Sequence, residues 1–95
     1  MRINEVEKRA VTEAVQAADP GARIWLFGSR ADDTKKGGDI DIAVLSGNIG
    51  IPERMKIRRS IIDVLGEQKI DIVVSEDGSD PFFRLAVETG IPLHG

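Results

Sequence analysis

The chain has no cysteine, no tyrosine, one tryptophan and a single histidine. Without cysteine there is no disulfide framework, no thiolate metal site and no cysteine nucleophile. The lone His94 lies beside the C-terminus and reads as a tail residue, which leaves a histidine-based triad without its base. No apolar run approaches the roughly 18 residues that span a bilayer. The opening MRINEVEKRA is charged and lacks the apolar core of a signal peptide. The expectation is therefore a cytoplasmic protein with no membrane contact. An excess of positive charge is missing too. Against 13 Lys and Arg stand 16 Asp and Glu, a net charge of -3, so the molecule as a whole does not attract nucleic acid. One Trp and three Phe supply few stacking surfaces, and no direct nucleic-acid binding is expected.

What is present fits a single domain over residues 1–95, large enough for one sheet covered by a few helices. Ile3, Val6, Ala10, Val11, Ala14 and Ala18 recur as on one face of a helix, which Asp19-Pro20-Gly21 ends. ARIWLF reads as a strand buried on both sides, with Trp25 and Phe27 in the core, and leads directly into Gly28-Ser29. DIDIAVL is a second strand. Pro52 opens a helix on which Met55, Arg58, Ile61, Ile62 and Leu65 follow the period and Gly66 caps the end. KIDIVVS is a third strand. Asp80 and Pro81 start a closing helix whose face is Phe82, Leu85, Ala86 and Thr89, followed by a short tail. The short link between the first two strands favours antiparallel pairing, and the helix between the next two suits a parallel crossover. The fold class is α/β (α+β), a small mixed sheet flanked by helices.

Aspartate is among the residues that strands least favour, yet three sit in these strands. Asp39 and Asp41 point to the same face while Ile40 and Ile42 point to the other, their α-carbons about 6.6 Å apart. Asp71 alternates with Ile70 and Ile72 in the same way. If the second and third strands are neighbours, three carboxylates meet on one patch. Like charges about 5 Å apart repel by roughly 3 kcal/mol at an effective dielectric near 20. Protonation or a bound cation would offset that repulsion, and oxygen-only ligands favour Mg²⁺ or Mn²⁺. A D-x-D pair at a strand end also serves simply to cap a turn or face water. Gly28-Ser29 at the end of a strand presents free backbone N–H groups and a hydroxyl, a place for phosphate oxygens, although ordinary turns use the same residues. Neither a Walker P-loop nor a G-x-G-x-x-G fingerprint occurs.

The combination resembles the minimal nucleotidyltransferases of the DNA polymerase β superfamily. It comprises Phe27-Gly28-Ser29-Arg30-Ala31, then Gly38-Asp39-Ile40-Asp41-Ile42-Ala43-Val44, then Asp71 in KIDIVV. The resemblance covers nearly the whole chain. It implies a DNA polymerase β-like nucleotidyltransferase fold and transfer of AMP from ATP with release of pyrophosphate. On the matching positions, Asp39 and Asp41 would hold two Mg²⁺ ions (or Mn²⁺). Asp71 would share the second ion and orient or deprotonate the acceptor hydroxyl. Gly28 and Ser29 would hold the β- and γ-phosphates, with Arg30 a further phosphate contact. Two departures stand out. Gly38 replaces the serine often found before the first aspartate. The loop carries Asp32 and Asp33 ahead of Lys35 and Lys36, where the family is often rich in arginine.

Larger relatives carry a second domain that grips the acceptor, whereas residues 72–95 suffice for one helix and a tail. The resemblance then implies an acceptor held by an oligomer mate or by a separate protein. In this family the partner is typically a helical HEPN-type toxin, and the enzyme acts as the antitoxin of a toxin–antitoxin system by AMPylating it. The alternative is a catalytically weak binding subunit that neutralises its partner by complex formation. The basic run Arg54, Lys56, Arg58 and Arg59 offers a docking face for it, and reads equally as a solvated helix face.

Overall fold

The computed structural model describes residues 3–28 and 39–94, without the side chain of His94. Helix α1 spans Glu5–Ala18. Asn4 caps it, its side-chain oxygen accepting the Glu7 N–H at 2.8 Å while its own N–H donates to the Glu7 carboxylate at 3.0 Å. This reciprocal pair satisfies two donors that a helix start leaves orphaned. At the other end Asp19 accepts the Gly21 N–H at 3.0 Å and the Ser46 hydroxyl at 2.5 Å. The bond to Ser46 ties the turn after α1 to the end of a distant strand.

Strand β1 is Arg23–Phe27 and β2 is Ile40–Leu45. Helix α2, Ile51–Leu65, carries Pro52 in its first turn, where the missing N–H costs nothing. Gly66 follows it at φ 85°, a left-handed conformation that side chains resist. Strand β3 is Ile70–Ser75. Helix α3, Pro81–Thr89, is capped by Asp80, which accepts the Phe83 N–H at 3.1 Å. A fourth strand, β4, runs over Ile91–His94.

The sheet order is β3-β2-β1-β4. Strands β1 and β2 are antiparallel, β2 and β3 parallel, as the connection lengths imply. The short tail expected at the C-terminus is instead β4, antiparallel to β1. Four residues containing Pro92 give a weak strand signal. Proline is tolerated here because the strand lies at the edge of the sheet, where one row of N–H groups has no ladder partner.

Alternation sends the apolar side chains to two faces. Ile24, Leu26, Ile40, Ile42, Val44, Ile70 and Ile72 pack beneath α1 and α2, which contribute Val11, Val15, Ile57 and Ile61. On the opposite face α3 places Phe83 and Ala86 on Trp25 and Ala43. The Trp25 and Phe83 rings meet edge to face, centroids 5.7 Å apart, and the Arg23 guanidinium lies 5.0 Å over the Trp25 ring. The expected face of α1 is the inner one, with Ala10, Val11 and Ala14 buried, except that Val6 is exposed. On α2 Ile61 is buried as expected, joined by Ile57, while Met55 is exposed. Helix α3 buries Ala86 as expected, but with Phe83, while Phe82 and Leu85 face outward. Among the described residues no helix is long and apolar enough to cross a membrane.

Candidate active site

One helix of nine residues is too short to cover a four-stranded sheet. Helix α3 shields Trp25, Ala43 and Val73, and does not reach the end of the same face where β1 finishes and β2 and β3 begin. Across that end the register aligns Phe27 with Asp41, and Asp41 with Asp71. Since side chains two residues apart share a face, Asp39 and Lys69 lie one step further out on the same side.

Asp41 is the most constrained of the acids. Burial pushes its carboxyl up to about 6, and the adjacent Asp71 adds to the shift through a hydrogen bond and through repulsion. Asp39 raises it further, while Lys69 opposes the change. Below about pH 6 the protonated Asp41 carboxyl donates to Asp71, and the two acids then share one proton rather than bear two charges. Gly28 closes in from the neighbouring strand. Its φ is 72°, and a β-carbon built on it would overlap the Asp41 carboxylate. Glycine is required there twice over, by backbone conformation and by the proximity of the acid.

Lys69 is the residue the sequence reading passed over. Its carbonyl accepts the Ile40 N–H at 3.1 Å, which pins the start of β3 to the start of β2. Its ammonium then reaches Asp39 at 3.8 Å and Asp71 at 4.0 Å. The signal was available: Lys69 precedes Asp71 by two, the same spacing that joins Asp39 to Asp41. Phe82 was also missed as a neighbour of the site. It packs edge to face on Phe27, centroids 6.1 Å apart, beside the strand end that leads to Gly28.

Of the six site residues expected from the sequence, Gly28, Asp39, Asp41 and Asp71 are thus brought to one end of one face. Ser29 and Arg30 lie outside the described residues, as do Lys35 and Lys36. The three acids do not close into a cage as they stand. Among the described residues, no three acidic or histidine side chains are arranged to hold a metal ion. Asp41 and Asp71 adjoin each other, and the Lys69 ammonium stands between Asp71 and Asp39. The donor set is nonetheless suited to a hard divalent ion. It is all oxygen, it comes from two neighbouring strand starts, and its charge, with Asp41 half-buried, favours a cation placed among the acids.

The family model described as polymerase beta, nucleotidyltransferase, matches residues 10–95. The chain belongs to this family. No curated protein sequence matches it. The matched span contains all four strands, and the small α+β fold with its mixed sheet is that of a DNA polymerase β-like nucleotidyltransferase. Membership marks the chain as a nucleotidyltransferase domain, whose chemistry usually draws on a nucleoside triphosphate and divalent metal ions.

Proposed function

We propose that this nucleotidyltransferase moves AMP from ATP to a hydroxyl of a partner protein, and that the partner is a helical HEPN-type toxin that the modification silences. The observation that carries the catalytic part is the Asp41–Asp71 register pair, set beside Gly28 at the end of the sheet that α3 does not cover. Asp39, Asp41 and Asp71 would hold Mg²⁺ or Mn²⁺, and the ions would neutralise charge that develops on the triphosphate oxygens. Asp71 takes the proton of the acceptor hydroxyl as its oxygen bonds to the α-phosphorus. The bond between that phosphorus and the α–β bridging oxygen breaks, and pyrophosphate leaves with the electron pair. Gly28, with Ser29 and Arg30 after it, supplies contacts to the β- and γ-phosphates. Asp41 works as an ion ligand only once its shared proton is lost.

The protein-acceptor part rests on the resemblance to the minimal nucleotidyltransferases that Gly28-Ser29, Asp39-Ile40-Asp41 and Asp71 carry. Incubation with α-labelled ATP, Mg²⁺ and the protein encoded by the adjacent gene is expected to label that protein. An Asp39→Asn/Asp41→Asn variant should abolish the labelling. Failure to label any adjacent gene product would overturn the acceptor assignment.

A second reading has its own support. The acids do not form a closed three-donor group among the described residues, and Lys69 lies between two of them, which favours a weak catalyst that silences its partner by occupying it. The basic run offers less to such docking than its sequence implies. Arg58 donates to the Ile70 carbonyl at 3.2 Å, and Arg59 pairs with Asp63 at 3.1 Å. Neutralisation that survives in the double Asn variant would decide for occupancy over chemistry.

A further inference from the structure

The acids of the site come from the starts of two parallel strands, and one side chain spans them. Lys69 is held at its backbone by the 3.1 Å bond from the Ile40 N–H to its carbonyl. This places the root of the side chain beside Asp39. From there the ammonium sits 3.8 Å from Asp39 Oδ2 and 4.0 Å from Asp71 Oδ2, two contacts to two different strands. A positive group between two carboxylates has the charge and the place of an ion bound by both. Metal–oxygen bonds of about 2.0–2.6 Å would draw the same two carboxylates inward and leave no room between them for an ammonium. Ion and ammonium therefore compete for one point.

The competition is readily reversed. The Lys69 side chain is 68% exposed, so it can swing into water without unpacking anything. Exposed ion pairs at such distances contribute little each, and a divalent ion brings twice the charge. We propose that Lys69 is a positioning residue of the cation site. Its ammonium holds Asp39 and Asp71 toward a common point and is displaced into solvent when a divalent ion takes that point. Lys69 thereby raises the ion concentration at which the site fills. The inference deepens the proposed function and rests on its assignment of Asp39 and Asp71 as ion ligands.

Two measurements test it, neither of them activity. In side-chain NMR, the Lys69 ε-methylene signal, assigned by its loss in a Lys69→Arg variant, should shift toward the free-lysine position as Mg²⁺ is added. A signal unchanged at Mg²⁺ saturation overturns the proposal. In calorimetry, Lys69→Gln should bind Mg²⁺ roughly three- to tenfold more tightly than wild type, while Lys56→Gln, on the exposed surface of α2, should bind as wild type does. Equal affinity in Lys69→Gln and wild type overturns the inference alone. Equal tightening in Lys56→Gln also overturns it, since overall charge then accounts for the gain. If neither wild type nor Lys69→Gln binds Mg²⁺ or Mn²⁺, the ion-dependent function falls, and the inference with it.

Discussion

Asp41 and Asp71 face each other in the parallel register of β2 and β3, and burial together with that neighbour lifts the Asp41 carboxyl to about 6. The folded chain therefore binds a proton between pH 3.8 and about 6 that the unfolded chain has already released. Stability falls as pH rises through that window, and stays lower at neutral pH than at pH 4 by the amount this group contributes. Asp41→Asn removes the charge while keeping the shape. We expect it to raise stability at pH 7.5 by about 1–2 kcal/mol, after allowance for solvent screening of a partly exposed group, and to change little at pH 4. Thermal melts at the two pH values measure this. A variant less stable than wild type at pH 7.5 would contradict it.

The same repulsion gives divalent ions something to relieve. Adding Mg²⁺ at pH 7.5 should raise the Tm of the wild-type chain, because an ion that binds only the folded state stabilises it by mass action. At one hundred times its Kd the gain is about 2.7 kcal/mol, on the order of 10 °C or more for a domain this small. At pH 5 protons compete for Asp41 and the rise should shrink. Asp71→Asn should lose most of it at either pH. A Tm that ignores Mg²⁺ at pH 7.5 would count against the carboxylates as ion ligands.

Gly28→Ala should damage the site more than the fold. The residue has φ 72° and lies at the exposed end of β1, so the backbone cost is on the order of 1–2 kcal/mol. The added methyl also displaces the Asp41 carboxylate from the place where it meets Asp71. The expected outcome is a chain that folds with a lowered Tm but shows weakened Mg²⁺ binding and strongly reduced nucleotide transfer. Calorimetry on the folded variant checks the first, labelled-ATP assays the second. Mg²⁺ binding equal to that of wild type would show that Asp41 had not been moved.

The carboxylates were legible because strand alternation is a strict rule. Once DIDIAVL and KIDIVVS are read as strands, Asp39, Asp41 and Asp71 follow to one face, and parallel pairing follows from the intervening helix. Lys69 obeys the same rule. It went unread because a lysine before a strand is ordinarily solvated, and only the Ile40–Lys69 backbone bond shows that it begins the pairing. Strand β4 was hidden by its brevity and by Pro92. Its first neighbour, Gly90, is fixed by a crowding no sequence displays: a β-carbon there would lie 2.6 Å from the Ala86 carbonyl oxygen and 2.8 Å from that of Leu26.

Helix α3 shows where periodicity stops being informative, and supplies the sharpest stability contrast. Phe82 and Leu85, or Phe83 and Ala86, both satisfy an i, i+3 spacing, and in a nine-residue helix either pair defines a plausible inner face. The sheet chooses the second. Phe83 is 3% exposed against Trp25, whereas Phe82 is 57% exposed and touches Phe27 by its edge. Phe83→Ala should therefore cost about 3–5 kcal/mol, by lost burial and an unfilled cavity, and should loosen α3 from the sheet. Phe82→Ala should cost about 0.5–1.5 kcal/mol, the range of a single edge-to-face contact. Urea unfolding of the two variants gives both numbers from one experiment. If Phe82→Ala proved the costlier, the inner face of α3 would have to be the one the sequence first suggested, and the helix would be turned to put Phe82 and Leu85 on the sheet.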